Sequence, residues 1–327
     1  MNHKILFVID KLELKYFEFN KLVTDFWLIK EFLQRDYDVC VTTVDKLGIK
    51  DAKAYCGCFK SYFKDENIFV ENNLEKFLIE DFTLVMFRPD PPVDLDYINA
   101  TYVFDFVDRE KTLVLNDTKA IRDFNEKLHA NLFSEFMPEN IVTSNRLEIE
   151  SFLQEHGEIV LKPLNLCFGS GVMYLKTGDK NVHSIINSMT KNQSTLIMVQ
   201  KYISNAQFGD KRILILDGEV LEECVIKLPS KDDFKFNTHS DEFIKKALLT
   251  DSEKVKFKKV AQKLNSIGIF MAGLDVIDEK IIEVNVTSPC YFIKEINNYF
   301  STNLETKIAD YIAHKLDSLN IKDFRLR

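Results

Sequence analysis

Gly273-Leu274-Asp275-Val276-Ile277-Asp278-Glu279-Lys280-Ile281-Ile282-Glu283-Val284-Asn285-Val286-Thr287-Ser288-Pro289 reads as two strands joined by a tight turn. Alternation along the second strand sets Glu283 and Asn285 on one face and turns Ile282, Val284 and Val286 toward a core. The turn then decides what lies opposite. A three-residue loop, Asp278-Glu279-Lys280, pairs Asp275 with Glu283 and gathers three oxygen-bearing side chains, whereas a two-residue loop sets Asp275 against Ile282. Two carboxylates and an amide oxygen are hard ligands that suit Mg²⁺ shared with nucleotide phosphates. A hairpin with a solvated polar face accounts for the same spacing. Asn285-Val286-Thr287 also fits a glycosylation triplet, which means nothing without a secretory signal.

Outward from this hairpin the chain reads as a helix over 253–266, strands over 270–277 and 281–286, and a terminal helix over 304–318. Before it come strands over 213–216 and 220–227 around Asp217-Gly218, followed by a polar stretch over 229–241. Further upstream lies a small α+β unit: helices over 147–156 and 182–189, strands over 158–162, 172–175 and 196–201, preceded by helical stretches over 119–125 and 127–133. The first third alternates strands (4–9, 38–44, 83–87, 112–115) with helices (21–33, 95–107), the pattern of an open parallel α/β sheet. Such a sheet presents functional groups at its strand C-terminal ends, where Asp10, Arg88 and Asn116 fall. No glycine-rich fingerprint follows these strands, which argues against a free-standing dinucleotide-binding domain. Linkers are expected near 117–125 and 202–209.

Composition bounds the function. The 327 residues are 46% hydrophobic with a formal net charge of −8, which suits folded domains and supplies no cationic excess for tracking nucleic acid or anionic membrane. The N-terminal apolar run is too short for a signal sequence, and no stretch reaches the roughly 18 apolar residues of a membrane span, so a cytoplasmic protein is expected. Six cysteines, including Cys56-Gly57-Cys58, show neither redox nor zinc spacing, so no structural disulfide is expected.

Lys127 follows Asn125-Glu126, and Lys162 closes the apolar run Val160-Leu161 before Pro163. A lysine ending a buried strand needs an anionic partner, which a structural carboxylate or a phosphate satisfies equally. Cys167-Phe168-Gly169-Ser170-Gly171 either presents backbone N–H groups to phosphate or forms a plain turn.

Read together, Arg88-Pro89-Asp90-Pro91-Pro92, Asn125-Glu126-Lys127-Leu128, Leu161-Lys162-Pro163-Leu164, Gly209-Asp210-Lys211-Arg212, Gly273-Leu274-Asp275 and the 283–289 segment closely resemble the prokaryotic-type glutathione synthetases. These are ATP-grasp ligases, and the similarity runs in one order from about residue 4 to about residue 318. The resemblance implies an ATP-grasp fold: an N-terminal open parallel α/β domain (1–119), a small lid domain (120–203), a C-terminal domain (204–320) that clasps ATP with the lid, and a tail (321–327). It implies that ATP activates the C-terminal carboxylate of γ-glutamylcysteine as an acyl phosphate, which the glycine amine displaces to give glutathione, ADP and phosphate. By the same resemblance Lys127 and Lys162 hold ATP phosphates, with Lys162 also catalytic. Gln200, Lys201, Tyr202 and Ile203 face adenine, Asp210 takes the ribose, and catalytic Arg212 stabilises the transferring phosphoryl. Asp275, Glu283 and Asn285 bind Mg²⁺, or Mn²⁺ in its place. Arg88, Lys227, Lys235, Asn237, Thr287, Ser288 and Lys294 lie at the substrates, and a homo-oligomer is expected. Histidine and cysteine take no catalytic part.

The substrate loops depart from the family pattern. Leu166, Cys167 and Phe168 stand in a run that is usually glycine-dense, and 229–242 lacks glycine, with Lys227 and Lys235 where arginines are usual. An Arg-to-Lys exchange keeps charge and loses the bidentate fork. Ligation of a different donor or acceptor, or a weakly catalytic nucleotide-binding role, is therefore the alternative. The loop over 229–242 is expected to close over the acyl phosphate and to leak more than is usual.

Overall fold

A computed structural model describes residues 3–10, 23–167, 169–229 and 243–325. Three sheets follow one another along the chain. The first contains β1 (Lys4–Ile9), β2 (Asp38–Thr43), β3 (Leu47–Lys50), β4 (Lys53–Lys64), β5 (Asn67–Val70), β6 (Glu75–Leu78), β7 (Leu84–Phe87) and β8 (Leu113–Leu115), with α1 (Thr24–Gln34) and α2 (Leu95–Val103) as crossovers. Its path is β3-β4-β2-β1-β7-β8, with β5 and β6 paired to β4. The β2-β1-β7-β8 portion is parallel, as the alternation of strands and helices predicts. Strand β1 is apolar throughout because both of its faces are covered. Ile5, Phe7 and Ile9 pack with Phe26, Ile29 and Phe32 of α1, while Leu6 and Val8 pack with Tyr97 and Ala100 of α2 and with Phe104. Each of the isoleucine, leucine, valine and phenylalanine side chains contributes about 1.5–3 kcal/mol by leaving water.

The antiparallel hairpins β3 to β6 have no counterpart in the sequence reading. Their turns are Asp51-Ala52 and Asp65-Glu66, all four residues with positive φ, so the customary Asn-Gly or Asp-Gly signal is missing.

The second sheet follows α3 (Thr118–Asp123) and runs β11-β10-β12-β9, built from β9 (Asn140–Thr143), β10 (Glu158–Pro163), β11 (Met173–Lys176) and β12 (Ile197–Lys201). Helices α4 (Arg146–His156) and α5 (Val182–Met189) cover one face, closing a small core of Ile149, Phe152, Leu153, Ile159, Leu161, Ile186 and Val199. Strand β9 was not foreseen, and the helix expected over 127–133 is a 3-10 segment, His129–Phe136, kinked at Phe133.

The third sheet runs β16-β15-β13-β17-β18, with β14 beside β13. Its strands are β13 (Asp210–Leu216), β14 (Glu219–Val220), β15 (Glu223–Lys227), β16 (Ile244–Leu248), β17 (Met271–Ile277) and β18 (Lys280–Asn285). One face, through Ile213, Ile215, Leu274, Ile281 and Val284, packs on α6 (Asp251–Ser266) and on Ile121, Phe124 and Phe133. Thr250 and Glu253 form a capping box that starts α6. The other face divides. Leu214, Leu216 and Met271 lie under α7 (Ile293–Phe300) and α8 (Leu304–Arg325), while the remainder of that face is polar and carries the site. No described helix is long and apolar enough to cross a membrane, and all six cysteines are free.

Candidate nucleotide and metal site

The β17–β18 hairpin brings the three oxygen ligands together by a route the sequence did not reveal. Its loop has two residues, Asp278-Glu279, since Ile277 pairs with Lys280. Both have positive φ, as a tight primed turn requires. That loop alone would set Asp275 against Ile282, yet Asp275 pairs with Glu283 and Gly273 with Asn285. A β-bulge makes up the difference: the register shifts between Asp275 and Val276, leaving Ile282 as the extra residue. Consequently Ile281 and Val284 are buried in the core, and Ile282, expected to point there, is only partly buried. The bulge also turns the Ile282 carbonyl toward the second sheet, where Lys162 Nζ donates to it at 3.1 Å.

Four cations converge on this face. Arg212, across from Asp275 in register, donates from Nε to Oδ1 at 2.7 Å and from Nη2 to Oδ2 at 3.1 Å. Its Nη1 donates to the Cys290 carbonyl at 3.1 Å. Lys227 Nζ lies 2.9 Å from both Asp275 Oδ1 and Asp210 Oδ2. Lys127 Nζ donates to Glu283 Oε1 and to the Leu166 carbonyl, both at 2.7 Å. Lys162 Nζ also donates to Gln200 Oε1 at 2.8 Å, so the second and third sheets clasp one cleft.

Burial sets the electrostatics. It would raise the Asp275 carboxyl, but Arg212 and Lys227 outweigh it and hold the group well below the usual carboxylate range. Burial works against the charge on Arg212 and Lys127 too, and their carboxylate partners overturn it, raising both. Burial dominates at Lys162, pushed down to about 8, and at Asp210, pushed up to about 7.

The residues present fit a nucleotide and a divalent ion. Gln200 Nε2 and Asp210 Oδ1 are buried with no hydrogen-bond partner among the described residues, an unmet donor and an unmet acceptor lining one cleft. Asp275, Glu283 and Asn285 offer hard oxygens from one face, and Asn285 Nδ2 already donates to Asp275 Oδ2 at 3.2 Å, orienting the amide. The N–H groups of Lys201 and Tyr202 are committed to the Glu139 and Glu158 carbonyls, and Tyr202 stacks edge-on to Tyr174 at 5.0 Å. Ile203 follows at the start of the connection to β13.

The residues that the resemblance assigns to the substrates are tied to other parts of the chain. Arg88 is buried against Asp25, with Nη2 donating to the Pro289 carbonyl at 3.2 Å. Thr287 donates from Oγ1 to Glu126 at 3.0 Å, and Ser288 donates to Asp90. Lys294 is partly buried in the first turn of α7, and Lys235, Asn237 and the proposed closing loop beyond Pro229 lie outside the described residues.

Three contributors had no assigned role in the sequence reading. Glu126, buried beside Lys127, accepts from the N–H groups of Val286 and Thr287 at 2.7 and 3.0 Å and fixes the chain after Asn285. Asn116 brackets Phe270, Met271 and Val286 through four hydrogen bonds, tying β8 to the hairpin. Gly273 leaves room for Arg212: a Cβ there would lie 3.0 Å from its Cδ. The signal for Glu126 and Gly273 was their place inside the motifs, and for Asn116 its place at a strand end.

Comparison with known proteins agrees with the geometry. Residues 3–122 match the prokaryotic glutathione synthetase N-terminal domain, and residues 126–301 match the prokaryotic glutathione synthetase ATP-grasp domain. The glutathione synthetase of Vibrio parahaemolyticus is 32% identical over 295 residues, 90% of this chain and 93% of that protein. That of Nostoc sp. is 37% identical over 242 residues, 74% of each. Among solved structures, D-cycloserine synthetase DcsG superposes with a TM-score of 0.68 at 13% identity, covering 96% of this chain and 99% of that one. D-alanyl-alanine synthetase A from Vibrio cholerae gives 0.61 at 11% identity, covering 97% and 99%. The fold is thus shared with distant ligases, while the sequence match runs through both domains, and the chain belongs to the prokaryotic glutathione synthetase family of ATP-grasp enzymes.

Proposed function

We propose that this ATP-dependent ligase joins γ-glutamylcysteine to glycine through an acyl phosphate, releasing ADP, phosphate and glutathione. The observation that carries the reading is the convergence of Lys127, Lys162, Arg212 and Lys227 on Asp275, Glu283 and the Ile282 carbonyl. Phosphoryl transfer demands cations placed around the equatorial oxygens more than acid or base chemistry.

In this reading Lys127 and Lys162 exchange their present partners for ATP phosphates. Gln200 meets the nucleotide with its unpaired amide N–H, while the Lys201–Ile203 segment lies along adenine. Asp210 offers its unpaired oxygen to a ribose hydroxyl. Arg212, held rigid by Asp275 and the Cys290 carbonyl, faces the transferred phosphoryl group and then the tetrahedral intermediate. Asp275, Glu283 and Asn285 would hold Mg²⁺, for which Mn²⁺ is a chemical substitute; bound there, the ion neutralises phosphate charge. Lys227, which bridges Asp210 and Asp275, lies at the substrate, and Arg88, Thr287, Ser288 and Lys294 shape the substrate loop. The domain division at 1–119, 120–203 and 204–320, a homo-oligomer and a cytoplasmic location complete the proposal.

The test is ADP release by the purified protein with ATP, Mg²⁺, γ-glutamylcysteine and glycine, each omitted in turn. Release that needs all four supports the reading. Release indifferent to γ-glutamylcysteine or glycine refutes it.

A further inference from the structure

We propose that Asp10, Asp90 and Tyr97 form a recess that binds the α-ammonium group of the dipeptide donor. The inference rests on the glutathione-forming reading and assigns the binding of one substrate group within it. In the parallel sheet the chain leaves β1 toward β2 on one side and leaves β7 toward β8 on the other, so the crevice between β1 and β7 is a topological switch point. Open α/β sheets bind ligands outside the strand C-terminal ends at such a point. Asp10 follows β1 and Asp90 follows β7, and Asp90 N–H donates to Asp10 Oδ2 at 2.6 Å.

A second observation points to a ligand there. Tyr97, in the first turn of α2, is 4% exposed, and its hydroxyl has no hydrogen-bond partner among the described residues. An unmet buried hydroxyl is costly to keep unless something else engages it. Besides burial, the charges that raise this phenol are the carboxylates of Glu126, Asp10 and Asp90, so the hydroxyl sits within their field. Burial, followed by the Asp90 and Asp25 carboxylates, pushes Asp10 up to about 6. The neighbouring Arg88 guanidinium is paired with Asp25 and the Pro289 carbonyl. Two acceptors and a hydroxyl under surplus negative charge suit a primary ammonium.

The recess adjoins the chemistry. Asp90 accepts from Ser288, two residues before the Cys290 carbonyl that holds Arg212, and Cys167 Sγ donates to the Pro91 carbonyl at 3.4 Å from the other side. The acceptor glycine must attack as a free amine, and an anionic recess would hold it protonated and unreactive. The donor's ammonium takes no part in the reaction and is stabilised there without penalty.

The test compares γ-glutamylcysteine with glutarylcysteine, which lacks only the α-amino group, using the full-length protein and its Asp10→Asn and Tyr97→Phe variants. Wild type should show a KM about tenfold higher for glutarylcysteine, the loss of a charged hydrogen-bonded group. Asp10→Asn should raise the KM for γ-glutamylcysteine about tenfold, leave those for glycine and ATP in place, and not further impair glutarylcysteine. Tyr97→Phe should act in the same direction by about threefold, and it carries the test if Asp10→Asn does not fold. Equal use of both donors by wild type, a shift confined to the glycine KM, or an unchanged donor KM in Tyr97→Phe overturns the proposal while leaving the ligase reading intact. Absence of γ-glutamylcysteine-dependent ADP release by wild type overturns both.

Discussion

Gly273→Ala tests whether Arg212 owes its position to a missing side chain. Gly273 lies inside β17, outside the positive-φ positions, so alanine suits its backbone and by strand propensity should stabilise by roughly 0.5–1 kcal/mol. Sterics oppose this. The added Cβ would sit 3.0 Å from Arg212 Cδ, 3.2 Å from Nη1 and 3.3 Å from Nε, against an optimum of about 3.5–4.0 Å between carbon atoms. The guanidinium must therefore yield by about half an ångström. It cannot do so freely, because Asp275 holds two of its nitrogens and the Cys290 carbonyl a third. Overpacking of this kind costs about 1–3 kcal/mol, which exceeds the propensity gain. A group displaced by an ångström loses about a hundredfold in rate, so half that displacement predicts a kcat lower by about tenfold. The assay is steady-state ADP release, with KM for ATP as internal control, since Lys162 and Gln200 are untouched. Unchanged kcat together with a raised melting temperature would refute the reasoning, for it would mean that propensity wins and Arg212 has slack.

Deletion of Ile282 should remove the bulge while keeping Asp275 opposite Glu283, because Val276 to Ile281 and Asp275 to Glu283 already pair regularly around it; the protein should fold, and its ATP KM should fall, since Lys162 no longer gives up that carbonyl to meet phosphate, measured by steady-state kinetics. Glu283→Gln should abolish Mg-dependent turnover and preserve the circular dichroism spectrum, since shape is kept and charge removed. Lys162→Met should raise the ATP KM, and Arg212→Met should lower kcat more than it raises KM; because Arg212→Met also strips a buried partner from Asp275, thermal melts must accompany it, with a loss of about 3–5 kcal/mol expected. Lys162, pushed down to about 8 by burial, should lose its charge in the free enzyme as pH rises, so the wild-type ATP KM should climb between pH 7 and 9 and stay flat in Lys162→Met. The linked stability runs the opposite way: above about pH 8 and up to 10.5 the unfolded chain binds the extra proton at Lys162, so this group's contribution to stability rises with pH across that window.

What was legible in the sequence was what local pattern controls. Strand β1 was bounded at Lys4–Ile9 and α5 at Val182–Met189, since an apolar run or an amphipathic repeat carries its own period. The parallel first sheet followed from alternating strands and helices, and the oxygen ligands from their residue types. The turns were harder. With ten glycines in 327 residues, the chain uses Asp51-Ala52, Asp65-Glu66 and Asp278-Glu279 in left-handed conformations, so the hairpins from β3 to β6 carried no punctuation to read.

The sequence by itself determined the chemistry available: hard oxygens on β18, cations at Lys127, Lys162, Arg212 and Lys227, and a motif order shared with one ligase family. Only the tertiary structure decided the register. Alternation predicts that Ile282 faces the core, and within an isolated two-residue hairpin it would lie opposite Asp275, yet pairing along β17 and the burial of Ile281 and Val284 against α6 make the strand bulge instead. The same holds for Asp10 and Asp90, brought together by the ends of two strands that lie far apart in the chain. Local pattern specifies which face a side chain takes. The partner across that face depends on the free energy of packing whole sheets together, and no window of sequence contains it.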